Sequence, residues 1–180
     1  PLLLVIQHPV TSEISEASNQ IIQTLNAISE LKYQSIIIYP NCDAGGRQII
    51  NIINKYKYDK SIKIYQNIPR IDYLAILKMA SVIIGNSSSA IIEAPSFHIP
   101  VVNVGSRQKN RERASNVIDV DYDKESIKKA INYALNNNDF KKQLKYIQNP
   151  YGDGKSGDRI VKILSEININ DDLIIKQFKD

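Results

Sequence analysis

Short, mainly apolar runs alternate along this chain with longer stretches whose apolar residues recur every three or four positions. The runs are Leu2-Leu3-Leu4-Val5-Ile6, Ser35-Ile36-Ile37-Ile38-Tyr39, Ile62-Lys63-Ile64-Tyr65, Val82-Ile83-Ile84, Val101-Val102-Asn103-Val104 and Val117-Ile118-Asp119-Val120. Such runs are expected of strands buried on both faces of a parallel sheet. Between the first two, Ser12 and Glu13 suit a helix start, and Ile14, Ala17, Ile21, Leu25, Ile28 and Leu31 keep helical spacing as far as Lys32. A second helix carries Ile49, Ile50, Ile52, Ile53 and Tyr56, and a third spans about 71–80. Another starts at the serines after Gly85, and Pro95 should end or kink it. Asp123 caps a helix through Ile127, Ala130, Ile131, Ala134 and Leu135. Asn136-Asn137-Asn138 interrupts it, helix resumes over 140–146, and a last one covers 158–167. Strand and helix in strict alternation predict an α/β fold, a doubly wound, Rossmann-like parallel sheet.

Ligands of such sheets bind outside the carboxyl ends of the strands. His8 follows the first strand, Asn41 the second, Asn67 the third, Ser87 and Ser88 the fourth, and Arg107 the fifth. The topology therefore brings these residues to one rim. Ser87-Ser88-Ser89 is the most telling group, because a helix should begin there. Hydroxyls would join unpaired backbone N–H groups at a helix start, which is a seat for phosphate. A plain N-cap also explains a serine at this point, though one would suffice.

Each remaining candidate has a structural reading beside its functional one. His8-Pro9 is either a turn or a phosphate donor and proton shuttle, since free imidazole titrates near neutrality. Glu93 is either a solvated carboxylate or, on the loop side of its helix, an acceptor for a sugar diol. Arg107 suits fork-like contact with a phosphate or carboxylate. Asn41 and Asn67 would read a base edge or hydroxyl, and asparagine also forms turns. Tyr151-Gly152-Asp153-Gly154 is a turn whose glycines permit close backbone approach. His98, between Phe97 and Ile99, reads as structural.

Composition changes the picture little. A net charge of +4 is mild and its lysines are dispersed, which argues against a nucleic-acid protein. Cys42 is the single cysteine, so an internal disulfide and a Cys-based zinc site are excluded and a cytoplasmic location is expected. No apolar run approaches the ~18 residues of a membrane span. The start shows neither basic leader nor cleavage site, lacks Met and enters a strand at once, so a longer protein is expected upstream. Many Ile, Asn and Lys residues with little Gly or Ala suggest an AT-rich bacterial genome. Neither a dinucleotide fingerprint nor a Walker loop is present, and no His, Asp and Glu cluster has metal-ligand spacing. Hence no cofactor and no metal are expected.

The motifs Gln7-His8-Pro9-Val10-Thr11, Pro40-Asn41-Cys42-Asp43-Ala44-Gly45, Gly85-Asn86-Ser87-Ser88-Ser89 with Glu93-Ala94, Pro100-Val101-Val102-Asn103-Val104-Gly105-Ser106-Arg107-Gln108 and Tyr151-Gly152-Asp153-Gly154 occur in an order that resembles the UDP-N-acetylglucosamine 2-epimerase family. Gly105-Ser106-Arg107-Gln108 favours its hydrolysing branch. The resemblance implies the C-terminal half of a GT-B architecture, with residues 1–167 as the UDP-binding domain, 168–180 as a polar tail, and the N-terminal domain absent. It implies that His8, Asn41, Asn67, Ser87, Ser88, Glu93 and Arg107 line the site for UDP or UDP-N-acetylglucosamine. Ser87 and Ser88 would hold the diphosphate, Glu93 the ribose, and His8 would take part in catalysis. Asn67 stands where some members carry histidine, and Cys42 and Gly46 also depart from the commoner residues of their loop.

The implied reaction is anti elimination of UDP to a 2-acetamidoglucal, then hydration to N-acetylmannosamine for sialic or legionaminic-type acid synthesis. Its acid and base would lie in the N-terminal half, and the assembled protein would be a homo-oligomer. The chain alone is then expected to bind UDP without turnover. Two other readings stand beside this one. They are the donor-binding domain of a GT-B glycosyltransferase and a non-catalytic sugar-nucleotide-binding module.

Overall fold

The computed structural model describes residues 1–175, so the polar tail expected over 168–180 falls partly outside them. Six strands form one all-parallel sheet: β1 (Leu2–Ile6), β2 (Gln34–Ile38), β3 (Ile62–Tyr65), β4 (Val82–Gly85), β5 (Val101–Val104) and β6 (Val117–Val120). Their spatial order is β3-β2-β1-β4-β5-β6, with β1 hydrogen-bonded to both β2 and β4. Chain winding reverses between β1 and β4, which is where a doubly wound sheet opens a crevice at its carboxyl edge.

The unbroken apolar runs have the cause expected of them. Leu3 and Val5 point to one face, with Ile37, Ile84 and Val102, and are covered by α1 (Ala17–Leu31), α2 (Gly46–Ile53) and α5 (Lys124–Asn136). Leu4 and Ile6 point to the other, with Ile83 and Val101, under α3 (Arg70–Met79) and the segment from α4 (Ser88–Ile92) to Ile99. The central strands β1, β4 and β5 are buried on both sides because both sides are covered, whereas the edge strands β3 and β6 expose Lys63 and Asp119. Asp123 caps α5 by accepting the Ser126 N–H at 2.8 Å, and Asn137 caps α6 (Asn138–Leu144) by accepting that of Phe140 at 2.8 Å.

Two expected helices take another form. The helix expected from Ser12 begins as a 3₁₀ segment, Thr11–Glu16, kinked at Glu13, whose φ is −126°. Glu13 is drawn out of helical register by two hydrogen bonds, accepting from Gln20 Nε2 at 2.6 Å and Ser106 Oγ at 2.8 Å. The helix expected from Ser87 to Pro95 stops at Ile92 and continues as a 3₁₀ turn, Ala94–Phe97. Pro95 has no N–H to donate and its ring obstructs the preceding turn, so the α-helix cannot pass through it.

The chain divides into two compact units, Pro1–Pro150 and a second that begins at Tyr151. The second contains α7 (Ser156–Glu166) and α8 (Asp171–Ile174), and Arg159 grips Asp153 with both Nη groups at 2.9 and 2.7 Å. The glycine-rich run belongs to this unit.

Gly85 ends β4 at a φ of +123° that side chains rarely adopt, and a Cβ there would sit 2.1 Å from the Ile6 carbonyl oxygen. Gly85→Ala should therefore cost about 3 kcal/mol or more of stability, combining backbone strain with a clash against rigid backbone. Urea unfolding of the chain, followed by circular dichroism, measures it; a loss below about 1 kcal/mol would mean that β1 and β4 separate easily.

Candidate functional site

The site is built where β1 and β4 leave the sheet side by side. After Gly85 the chain enters Asn86, which is fully buried and bonded on every side. Its backbone N–H donates to the Ile6 carbonyl at 3.1 Å. Its side-chain Oδ1 accepts the His8 N–H at 2.6 Å, and its Nδ2 donates to the His8 carbonyl at 2.9 Å. Its own carbonyl accepts from Gln108 Nε2 at 2.7 Å and Arg107 Nη1 at 3.1 Å. One asparagine thus copies a strand pairing with its side chain and ties the ends of β1, β4 and β5 together.

This arrangement holds His8 in place by its backbone and leaves the ring to be set by Asn41, whose backbone N–H donates to Nδ1 at 3.0 Å. An acceptor at Nδ1 puts the proton of the neutral ring on Nε2. Burial, and then the positive charge of Arg107, lower the His8 pKa from 6.5 to about 4. The expectation of a proton shuttle near neutrality rested on an ordinary imidazole. The ring in this fold is neutral at pH 7 and presents a fixed N–H donor.

Ser87 is 7% exposed and caps α4 through its side chain, its Oγ accepting from the Ser89 N–H at 3.4 Å. Ser87 Oγ lies 2.9 Å from Ser89 Oγ, and the Tyr73 hydroxyl donates to Ser89 Oγ at 2.7 Å. With only five residues in α4, the helix dipole is weak, and the serine hydroxyls outweigh it as anion donors. Glu93 closes α4 where a second helical turn was expected. Both of its carboxylate oxygens accept from Arg70 Nη1 at 2.9 Å, with the Arg70 side chain mostly in solvent.

Two neighbouring clefts open on this rim. One of about 440 Å³ is lined by His8, Asn67, Arg70, Tyr73, Ser87 and Ser89 among others. The other, of about 910 Å³, is lined by His8, Asn67 and the loop Asn41–Gly46. His8 and Asn67 belong to both, so four of the expected residues, His8, Asn41, Asn67 and Ser87, are brought together. Ser88, Glu93 and Arg107 line neither. Ser88 is the first residue of α4, and Arg107 borders a separate recess with Pro9, Thr11 and Asp43.

Sequence reasoning passed over Asn86, Gln108, Arg70 and Tyr73. Asn86 and Gln108 stand inside motifs noted for their neighbours, and a polar residue wedged between a strand end and a serine run was a usable signal. Arg70 and Tyr73 gave none, because only folding brings α3 to α4. Among the described residues, no group of His, Cys, Asp and Glu is placed to hold a metal ion, and no helix is long and apolar enough to cross a membrane.

A His8 pKa of about 4 has two measurable consequences. The His8 ring, identified by NMR through its loss in His8→Asn, should stay neutral with its proton on Nε2 down to about pH 5. Between 6.5 and about 4 the unfolded chain binds this proton and the folded one does not, so stability should fall as pH is lowered through that window. His8→Asn should remove that part of the pH dependence in unfolding measurements, and an unchanged slope would place the ring in water.

Comparisons with known proteins show which family the chain is similar to. A family model described as UDP-N-acetylglucosamine 2-epimerase matches residues 1–165. The chain is 38% identical over 175 residues to the hydrolyzing UDP-N,N'-diacetylbacillosamine 2-epimerase of Legionella pneumophila, covering 97% of this chain and 45% of that protein. It is 33% identical over 183 residues to polysialic acid biosynthesis protein P7 of Escherichia coli, covering 98% of this chain and 46% of that one. Among solved structures, the UDP-GlcNAc 2-epimerase of Methanocaldococcus jannaschii in complex with UDP-GlcNAc and UDP superposes with a TM-score of 0.68 at 25% identity, over 91% of this chain and 44% of that one. The chain therefore spans about half the length of the relatives it matches, and its fold is the Rossmann-like half of a GT-B protein implied by the motifs. With a family match over nearly all its length, on a sheet of this order and with the motif residues on its carboxyl rim, the chain belongs to the UDP-N-acetylglucosamine 2-epimerase family.

Proposed function

We propose that this chain is the UDP-binding, C-terminal half of a hydrolysing UDP-N-acetylglucosamine 2-epimerase. The observation that carries the reading is the convergence of Ser87, His8 and Asn67 on one cleft at the β1/β4 switch point. A solved relative holding UDP and UDP-GlcNAc supports it. The diphosphate lies against the Ser87 hydroxyl and reaches Ser88 at the start of α4, just outside the cleft lining, with the His8 Nε2–H as a further donor and Arg107 supplying positive charge from behind the Asn86 turn. Asn67 and Asn41 border the same clefts and take the remaining polar contacts of the nucleotide. Glu93 meets the ribose hydroxyls once Arg70 shares or yields its carboxylate.

Elimination leaves negative charge on the departing diphosphate, and fixed donors aimed at that charge lower the barrier. A neutral imidazole held by Asn41 and Asn86 needs no reorganisation to act in that way. The proton is taken from C2 by a base of the N-terminal half, the C1–O bond breaks, and UDP departs. Water then adds across the glycal double bond with inversion at C2, which releases free N-acetylmannosamine. The likeness to a hydrolyzing diacetylbacillosamine enzyme makes the corresponding 2,4-diacetamido sugar nucleotide the competing substrate of the whole protein. The complete enzyme works as a cytoplasmic homo-oligomer in the supply of sialic or legionaminic-type acids.

Calorimetry should show the 180-residue chain binding UDP, with Ser87→Ala weakening it about tenfold, the effect of one lost hydrogen bond to a charged group. The same chain should release no UDP from UDP-N-acetylglucosamine, whereas the full-length protein should release UDP and free N-acetylmannosamine or its diacetamido counterpart. An inert sugar nucleotide with the full-length protein would point to a glycosyltransferase instead. Turnover by the 180 residues alone would place the acid and base in this half.

A further inference from the structure

The hydroxyls beside the cleft form a chain whose direction is set from outside it. Tyr73 stands in the first turn of α3, and its hydroxyl donates to Ser89 Oγ at 2.7 Å. Ser89 Oγ lies 2.9 Å from Ser87 Oγ, and the Ser89 N–H also reaches Ser87 Oγ at 3.4 Å. All three side chains border the cleft that holds His8 and Asn67.

A serine hydroxyl has one proton and two lone pairs. Either hydroxyl of the Ser87–Ser89 pair can donate; with Tyr73 filling one of the two lone pairs of Ser89, donation from Ser89 to Ser87 Oγ is favoured. Ser87 Oγ then accepts twice, from the Ser89 hydroxyl and from the Ser89 N–H, so its own proton has no place within the chain and faces the cleft. Without the tyrosine hydroxyl, Ser89 becomes an open acceptor. Ser87 then satisfies it by turning its proton inward and offers the cleft a lone pair, which repels an anion. Burial raises the Tyr73 pKa, so the phenol keeps its proton and acts as a permanent donor.

We infer that Tyr73 is a positioning residue: through Ser89 it turns the Ser87 hydroxyl outward as a donor to the diphosphate, and it touches no reacting atom itself. This rests on the UDP-binding reading of the cleft. It extends the site to α3, which none of the motif residues reaches.

The test is a double-mutant cycle on the 180-residue chain with UDP as the probe, read by calorimetry beside the thermal midpoint. Tyr73→Phe should weaken UDP binding about five- to tenfold with the thermal midpoint little changed, since one hydrogen bond to a charged ligand is misdirected and the ring is kept. Ser89→Ala should keep near wild-type affinity, because alanine offers the Ser87 proton no acceptor, and for the same reason it should restore most of the lost affinity when added to Tyr73→Phe. A purely structural tyrosine would lower the midpoint and leave UDP affinity alone. Equal affinity in Tyr73→Phe and wild type overturns the inference, as does a double variant that binds no better than Tyr73→Phe. Should Tyr73→Phe fail to fold, Ser89→Ala decides alone, and a loss of affinity in it as large as that of Ser87→Ala overturns the relay. A wild-type chain that does not bind UDP removes the underlying reading and the inference with it.

Discussion

The molecule depends on how the end of β4 is fastened against the end of β1. Parallel strands expose unpaired backbone groups at their carboxyl edge, and at a switch point the neighbouring loops turn away from each other. Asn86 closes that gap by giving its side-chain amide to the backbone of His8 while Gln108 and Arg107 hold its carbonyl. Gly85 makes this possible, since any side chain at its positive φ would run into the Ile6 carbonyl. A buried asparagine left unpaired would be costly, and this one is fully paired, so the knot both stabilises and specifies the rim.

The electrostatics follow from the same knot. Because Asn86 draws Arg107 in behind the turn, its charge bears on a ring that is already partly removed from water, and His8 is held neutral. The rim therefore collects donors: an imidazole N–H, serine hydroxyls and an arginine charge. Its one carboxylate on α4, Glu93, is neutralised by Arg70. A rim of that character suits an anion that gains charge as it departs. Binding in this half and proton transfer in the other half is the division of labour that the proposed reaction requires.

Particular elements show how much was legible beforehand. Strands β3, β5 and β6 were readable residue by residue, because apolar runs bounded by turn residues have few other uses in a soluble chain. The cap at Asp123 was readable because a cap is a local event, one side chain meeting an N–H three residues on. The end of α4 was readable for the same reason, since Pro95 acts within a turn of itself. Thr11–Glu16 was misjudged for the opposite reason, because Glu13 obeys Ser106, which lies far along the sequence.

What the sequence determined by itself was the periodicity, hence the strands, the helices, the sheet class and the rim on which His8, Asn41, Asn67, Ser87 and Arg107 must stand. These follow from near-neighbour rules: burial on one or two faces, turn residues, and the alternation that a parallel sheet demands. What only the tertiary structure decided was which way those groups face and in what state. The neutral His8, the Arg70 pairing of Glu93 and the hydroxyl chain from Tyr73 all join residues on different elements. Protonation and hydrogen-bond direction depend on distance and solvent exclusion, and neither exists until those elements pack.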